Sequence, residues 1–153
     1  MSDITARLAE LGVELPEPVA PVANYVPFVV SGNLVFISGQ VSIGPDGLIT
    51  GKLGDDLSLD DGVAAARACG INLLAQLKAA CDGDLSRVKR CVKLGGFVNG
   101  ASDFTDQAKV VNGASDLMVA VFGDAGHHAR AAVGAPSLPL GAAVEIDAVF
   151  EIA

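Results

Sequence analysis

The sequence predicts a single α+β domain in which a mixed β-sheet carries two helices on one face. Three observations predict it. The C-terminal run alternates with period two, setting Val144, Ile146, Ala148, Phe150 and Ile152 on one side and Glu145, Asp147 and Glu151 on the other. Two longer stretches place apolar residues at helical spacing, the clearer through Val63, Ala66, Ile71, Leu74, Leu77 and Cys81. The inferred order is strand, strand, helix, strand, helix, strand, strand, and two helices can cover only one face of the sheet. A length of 153 residues, 51% of them hydrophobic, suits one sizeable core. Residues 1–19 read as a helix and extended arm added before a single domain over 20–153.

Ser2 and Asp3 can cap a short helix to about Leu11, stopped by Gly12, and the Pro-bearing segment 15–22 then runs extended. Runs 25–30 and 34–38 are β-rich and flank Ser31-Gly32-Asn33, which has the chemistry of a hairpin turn. Gly44-Pro45-Asp46-Gly47 is another turn, with a short strand possible at 48–50. Ser58 and Asp61 form a capping box with Asp in place of the usual Glu or Gln, and Gly83 closes the helix they open. Residues 87–99 read as a strand, in which Gly95-Gly96 marks a bulge or a close backbone approach. Asp103 or Thr105 starts the second helix, which Gly113 weakens and Gly123 ends. The strands of Arg130 and Glu145 complete the chain.

Composition narrows the function classes. A net charge of −8 repels a phosphate backbone, and the Lys and Arg residues form no basic stripe, so nucleic acid is not expected as a partner. The N-terminus lacks a basic segment followed by an apolar run, and no stretch is long and apolar enough to span a membrane, so a cytoplasmic location is expected. Cys69, Cys81 and Cys91 include no Cys-x-x-Cys and read as reduced packing residues. His127 and His128 have no ligand spacing around them, so no metal is expected. Asp55-Asp56 and Asp60-Asp61 read as a solvated, helix-capping segment.

Chemistry concentrates near the C-terminus. Alternation puts His128, Arg130 and Ala132 on one face of their strand, and Arg130 and Glu145 are expected to share the sheet face that the core does not need. That face also carries enough apolar side chains to favour self-association. Without further context Arg130 reads as an ion-pair residue, Glu145 as its partner, Ser38-Gly39 as a turn, Tyr25 as the start of a strand and His128 as a loop residue.

The residues also resemble a known family. Tyr25, then Gly32-Asn33-Leu34-Val35-Phe36-Ile37-Ser38-Gly39-Gln40, Val92-Lys93, Phe97-Val98, Asp103-Phe104, Val111-Asn112, the Arg130 run and Leu138-Pro139 through Val144-Glu145-Ile146-Asp147-Ala148 stand in the order and near the spacing of the RidA/YjgF family. That family was once labelled endoribonuclease L-PSP. Asn24-Tyr25-Val26-Pro27, Gly51-Lys52-Leu53-Gly54 and Asn112-Gly113-Ala114-Ser115-Asp116-Leu117 are similar to its longer subgroup. The resemblance implies a chorismate-mutase-like fold of the bacillus type, assembled as a trimeric barrel. It implies hydrolysis of 2-imino and 2-amino-enoic acids to 2-keto acids and ammonia at a cleft between subunits, with no metal or organic cofactor. In that reading Arg130 grips the substrate carboxylate and Glu145 positions the attacking water, while Tyr25, Ser38, Gly39 and Ala132 line the pocket. Ala132 departs from the Cys often found there, and Ala23-Asn24-Tyr25 stands for the common Gly-Pro-Tyr, which puts substrate preference in doubt. A non-catalytic module binding small carboxylates is the alternative function, and an endoribonuclease a third.

Overall fold

The computed structural model describes residues 3–21 and 23–153. Its elements are α1 (Ile4–Glu10), β1 (Phe28–Ser31), β2 (Leu34–Val41), β3 (Ile43–Gly44), β4 (Gly47–Leu48), α2 (Leu59–Ala80), β5 (Val88–Asn99), α3 (Gln107–Phe122), β6 (Ala129–Ala135) and β7 (Val144–Ile152). Five strands form the main sheet in the order β1-β2-β7-β5-β6, and β3 pairs with β4 in a separate hairpin. All neighbours in the main sheet are antiparallel except β5 and β6. Parallel neighbours need a crossover, and α3 supplies it.

The predicted signals locate the elements well. The Ser58 hydroxyl accepts from the Asp61 N–H at 3.1 Å while the Asp61 carboxylate accepts from the Ser58 N–H at 3.0 Å, completing the capping box. Asp3 caps α1 by accepting from the Thr5 N–H at 2.9 Å, whereas Ser2 lies outside the described residues. The first hairpin turns on Gly32-Asn33, but its first strand begins at Phe28, because residues 23–25 bend away and only the Pro27 carbonyl extends the pairing, accepting from the Ser38 N–H at 2.9 Å. The second helix begins at Gln107, later than Asp103 or Thr105, since Phe104 is held in a turn by its N–H to the Ala101 carbonyl at 3.0 Å.

The core lies between the helices and one sheet face. Val144, Ile146, Ala148, Phe150 and Ile152 of β7 all point into it, as their alternation requires. Gly113 looked like a local weakness of α3, and packing gives it a purpose. A Cβ there would collide with the Val63 carbonyl of α2, so its absence lets the two helices meet at close range. Cys69, Cys81 and Cys91 are buried; burial pushes all three thiols up, Cys91 to about 12, so they remain protonated packing groups.

The N-terminal segment is docked as well. Leu8 and Val13 are buried in the core, and buried Gln76 of α2 donates its Nε2 to the Val19 carbonyl at 2.9 Å. The sheet face away from the helices stays uncovered in the single chain. Val29, Phe36, Phe97 and Val133 are between 37% and 52% exposed, an apolar expanse that a solitary protein rarely presents.

Candidate functional site

Strand register decides how the expected site residues are distributed. Across β6, β5 and β7, Val133, Phe97 and Glu145 lie in one row, and Ala131, Gly95 and Asp147 in the next row of the same open face. The intervening rows, Arg130-Leu94-Ala148 and Ala132-Gly96-Ile146, face the helices. Arg130 and Glu145 therefore lie on opposite faces of one protomer, contrary to the expectation from the sequence. The reason is that β6 is an edge strand of small residues. Its alternation shows that Arg130 opposes Ala129 and Ala131, but not which side α3 overhangs. Ala132 likewise turns toward the core, against which it packs, and does not line the cavity with Glu145.

Glu145, Tyr25 and Gly39 do come together. They line a cavity of about 380 Å3 beside the open face, with walls from the arm and from Pro139 and Leu140. A β-bulge shapes it: Ile37 pairs with Ala148 and Gln40 with Ile146, so Ser38 and Gly39 together oppose Asp147. A Cβ on Gly39 would lie 2.5 Å from Glu145 Oε1 and 3.0 Å from its Cδ. Glycine is thus the residue that allows the carboxylate to lie across the strand. Ser38 is adjacent but directed elsewhere: its hydroxyl donates to the Val26 carbonyl at 2.7 Å, tying down the Tyr25 segment, and the residue lines a depression on the open face beside Lys93 and Asp147. Sequence reasoning read the Ser38-Gly39 pair as a turn or pocket edge, and its structural identity is a bulge.

Gly95-Gly96 is a close approach and not a bulge, since β5 pairs in register there. Asp147 lies over Gly95 on the open face, and Val111 of α3 over Gly96 on the other. Burial pushes the Glu145 carboxyl above its ordinary range, and the neighbouring Asp147 charge pushes the same way. Burial raises Asp147 too, opposed by a hydrogen bond from the Gly95 backbone and by Lys93.

Asp147→Asn is accordingly expected to lower the Glu145 pKa, read by carboxyl NMR, because one like charge is removed. The sign for stability follows from linkage: a carboxyl raised on folding favours the native state most below its unfolded value of about 3.9, and that benefit is lost as pH climbs through the raised value. The melting temperature of the variant should gain on wild type as pH rises from about 4 through the raised value. A difference that is constant with pH would show that Asp147 is not strained by its surroundings.

Arg130 sits at the opposite edge in a cluster that the sequence showed only in fragments. Its NH1 donates to Asn112 Oδ1 at 2.8 Å and to Ser115 Oγ at 3.1 Å, and its NH2 to the Ala108 carbonyl at 3.3 Å. His128 joins on the expected face. Its Nδ1 is 2.6 Å from the Gly126 carbonyl, which can only accept, so the neutral ring carries its proton there and Nε2 accepts from the Ser115 hydroxyl at 2.9 Å. Asn112 and Ser115, three apart on α3, share one helix face, and that spacing was the available signal for the cluster. Every acceptor on the guanidinium is neutral, and no carboxylate lies within ion-pair distance of it among the described residues. The described residues also contain no group of three or more His, Cys, Asp or Glu placed to hold a metal ion.

Residues 5–151 match a family described as "YjgF/chorismate mutase-like, putative endoribonuclease". The chain belongs to the YjgF/RidA family. Among its relatives is the protein TCP17 of Trypanosoma cruzi, 50% identical over 97% of this chain and 94% of that one. Among solved structures, Atu1372 of Agrobacterium tumefaciens is 49% identical with a TM-score of 0.91, covering 98% of this chain and 92% of its own. A Shewanella oneidensis protein under the same endoribonuclease label is 36% identical with a TM-score of 0.94, covering 99% and 100%. Escherichia coli TdcF, solved with bound serine, shares the fold at 23% identity and a TM-score of 0.62, covering 90% and 94%. The YjgF/chorismate-mutase-like fold expected from the sequence is thus the one observed. Within this YjgF/RidA chain the polar groups divide into two separate clusters, an apolar cavity holding Glu145 and a guanidinium cluster on the far edge.

Proposed function

We propose that the protein hydrolyses 2-imino and 2-amino-enoic acids to 2-keto acids and ammonia, at a cleft completed by a second copy of the chain. The observation that carries this reading is the complementarity of the two clusters. Among the described residues the cavity has a partly desolvated carboxylate and no cation in its lining, while Arg130 has neutral acceptors and no carboxylate within ion-pair distance, Asp116 lining its depression without pairing with it. Opposite faces of one sheet cannot close around one small molecule, so the two groups meet only if different copies supply them. The exposed apolar face offers a reason to assemble, as three copies packed face to face, and TdcF with its serine supports a small amino-acid-like ligand on this fold. The net charge of −8 favours a small molecule over RNA.

The chemistry asks mainly for placement. The guanidinium of Arg130 from a second copy holds the substrate carboxylate through two parallel hydrogen bonds. The substrate reacts as the iminium ion, formed by protonation of the imine nitrogen, or of C3 of the 2-amino-enoic acid, from solvent. Water adds to C2 as Glu145 takes its proton, giving a carbinolamine. Glu145 returns that proton to the nitrogen, then takes the hydroxyl proton as the C–N bond breaks, so that ammonia leaves the 2-keto acid and Glu145 releases the proton to solvent. A carboxyl raised above its ordinary range suits both the accepting and the donating step.

The test is the loss of 2-iminopropionate, generated in the cuvette by an amino-acid oxidase, with and without the protein. Faster decay supports the reading; unchanged decay with keto-acid stabilisation of the fold would make the protein a binding module instead. Gly39→Ala provides a local check. Its methyl should push the flexible Glu145 carboxylate aside, lowering the rate on the order of a hundredfold at little cost in melting temperature. Full activity in that variant would remove Glu145 from the reaction.

A further inference from the structure

We propose that the N-terminal arm is a specificity wall of the Glu145 cavity and selects acids with a branched or extended aliphatic side chain. This assignment rests on the hydrolase reading for its reaction but not for its geometry. Val19, Ala20, Pro21 and Ala23 line the cavity, facing Pro139 and Leu140. The arm is held from the core: α1 is anchored through Leu8, and Gln76, itself fully buried, grips the Val19 carbonyl at 2.9 Å. Buried Gln40 lies between them, 3.5 Å from Gln76 Nε2, and donates its own Nε2 to the Ser38 carbonyl in the bulge at 3.0 Å. A row of amides therefore links the arm to the bulge on which Gly39 and Glu145 meet.

The lining explains the choice of ligand. Among the described residues no Lys, Arg or His contributes to it, and Glu145 supplies its carboxylate, so an acidic side chain finds repulsion and no partner. A basic side chain would pair with Glu145 and take it from its water. A single methyl would reach little of the apolar wall formed by Val19, Pro21, Pro139 and Leu140 and so forfeit contact with it. A leucine-like side chain fills the arm side of the cavity while its carboxylate points out towards the cleft.

The stable product acids allow a test that does not depend on turnover. Affinities for pyruvate and 4-methyl-2-oxopentanoate are measured by calorimetry for wild type, Gln76→Met and Ala23→Leu, alongside the corresponding imine assays. Wild type should bind the longer acid at least about tenfold more tightly. Gln76→Met frees Val19 and should bring that ratio towards one, chiefly by weakening the longer acid. Ala23→Leu fills the wall and should weaken the longer acid selectively. Equal affinities in wild type, or a ratio that neither variant alters, overturn the assignment. A wild type that prefers the longer acid but hydrolyses neither imine upholds the wall and overturns the hydrolase reading.

Discussion

Arg130→Lys is expected to lower kcat/KM for 2-iminopropionate by at least about a hundredfold while leaving the melting temperature nearly unchanged. The substitution keeps the charge and removes the planar fork. In the protein that fork is oriented by three acceptors, Asn112 Oδ1, Ser115 Oγ and the Ala108 carbonyl, and Ser115 is in turn set by His128. A lysine ammonium is a single point on a flexible stem and cannot be fixed by the same three atoms while still presenting two parallel donors to a carboxylate. Because the carboxylate is held equally in ground and transition states, the loss should appear mainly in KM. Equal rates for variant and wild type would show that Arg130 is only a structural residue of the β6 edge.

The second large effect is on stability. Gly113→Ala is expected to cost about 3 kcal/mol or more, read as a fall in the urea midpoint. Helix propensity alone would predict the reverse, since alanine favours a helix by about 1 kcal/mol over glycine. Packing overrides it here: the new Cβ meets the backbone carbonyl of Val63 and lies 3.0 Å from its carbon and 3.2 Å from the Ala66 Cβ. Hydrogen-bonded backbone in the second turn of α2 cannot swing away as a side-chain end can, so the helices must separate and open the core between them. Gly44→Ala is the control, because a Cβ there finds its nearest neighbour at 3.9 Å; it should change stability by less than about 0.5 kcal/mol. A stabilised Gly113→Ala would mean that the two helices pack less closely than described.

The contrast between β7 and β6 shows where the sequence is legible. In β7 a strict apolar stripe under both helices leaves one possible orientation, so the direction of Glu145 could be read directly. In β6 the residues Ala129, Arg130, Ala131, Ala132 and Val133 alternate without a strong apolar side, and the direction of Arg130 depends on a parallel register set by a helix crossover. The same limit hid the Ser115–His128 contact, which joins α3 to the start of β6. The bulge at Ser38-Gly39 was equally hard to foresee, because it is defined by what lies opposite, and Asp147 is far away in the chain. Caps and turns, whose partners lie within a few residues, were readable almost to the residue except at the start of α3, where Asp106 makes no side-chain cap.

The division of the site between copies can be tested by mixing two impaired variants at low substrate. Arg130→Lys and Glu145→Gln proteins, denatured together in equal amounts and refolded, would form assemblies in which about a quarter of the clefts receive an intact Arg130 from one copy and an intact Glu145 from another. With the imine held well below the wild-type KM, hydrolysis should return to about a quarter of the wild-type rate, although Arg130→Lys refolded alone stays about a hundredfold slower and Glu145→Gln alone slower still. If the mixture is no more active than the average of its components, one chain supplies both groups, and the separation of Arg130 from Glu145 across the sheet does not describe the working site.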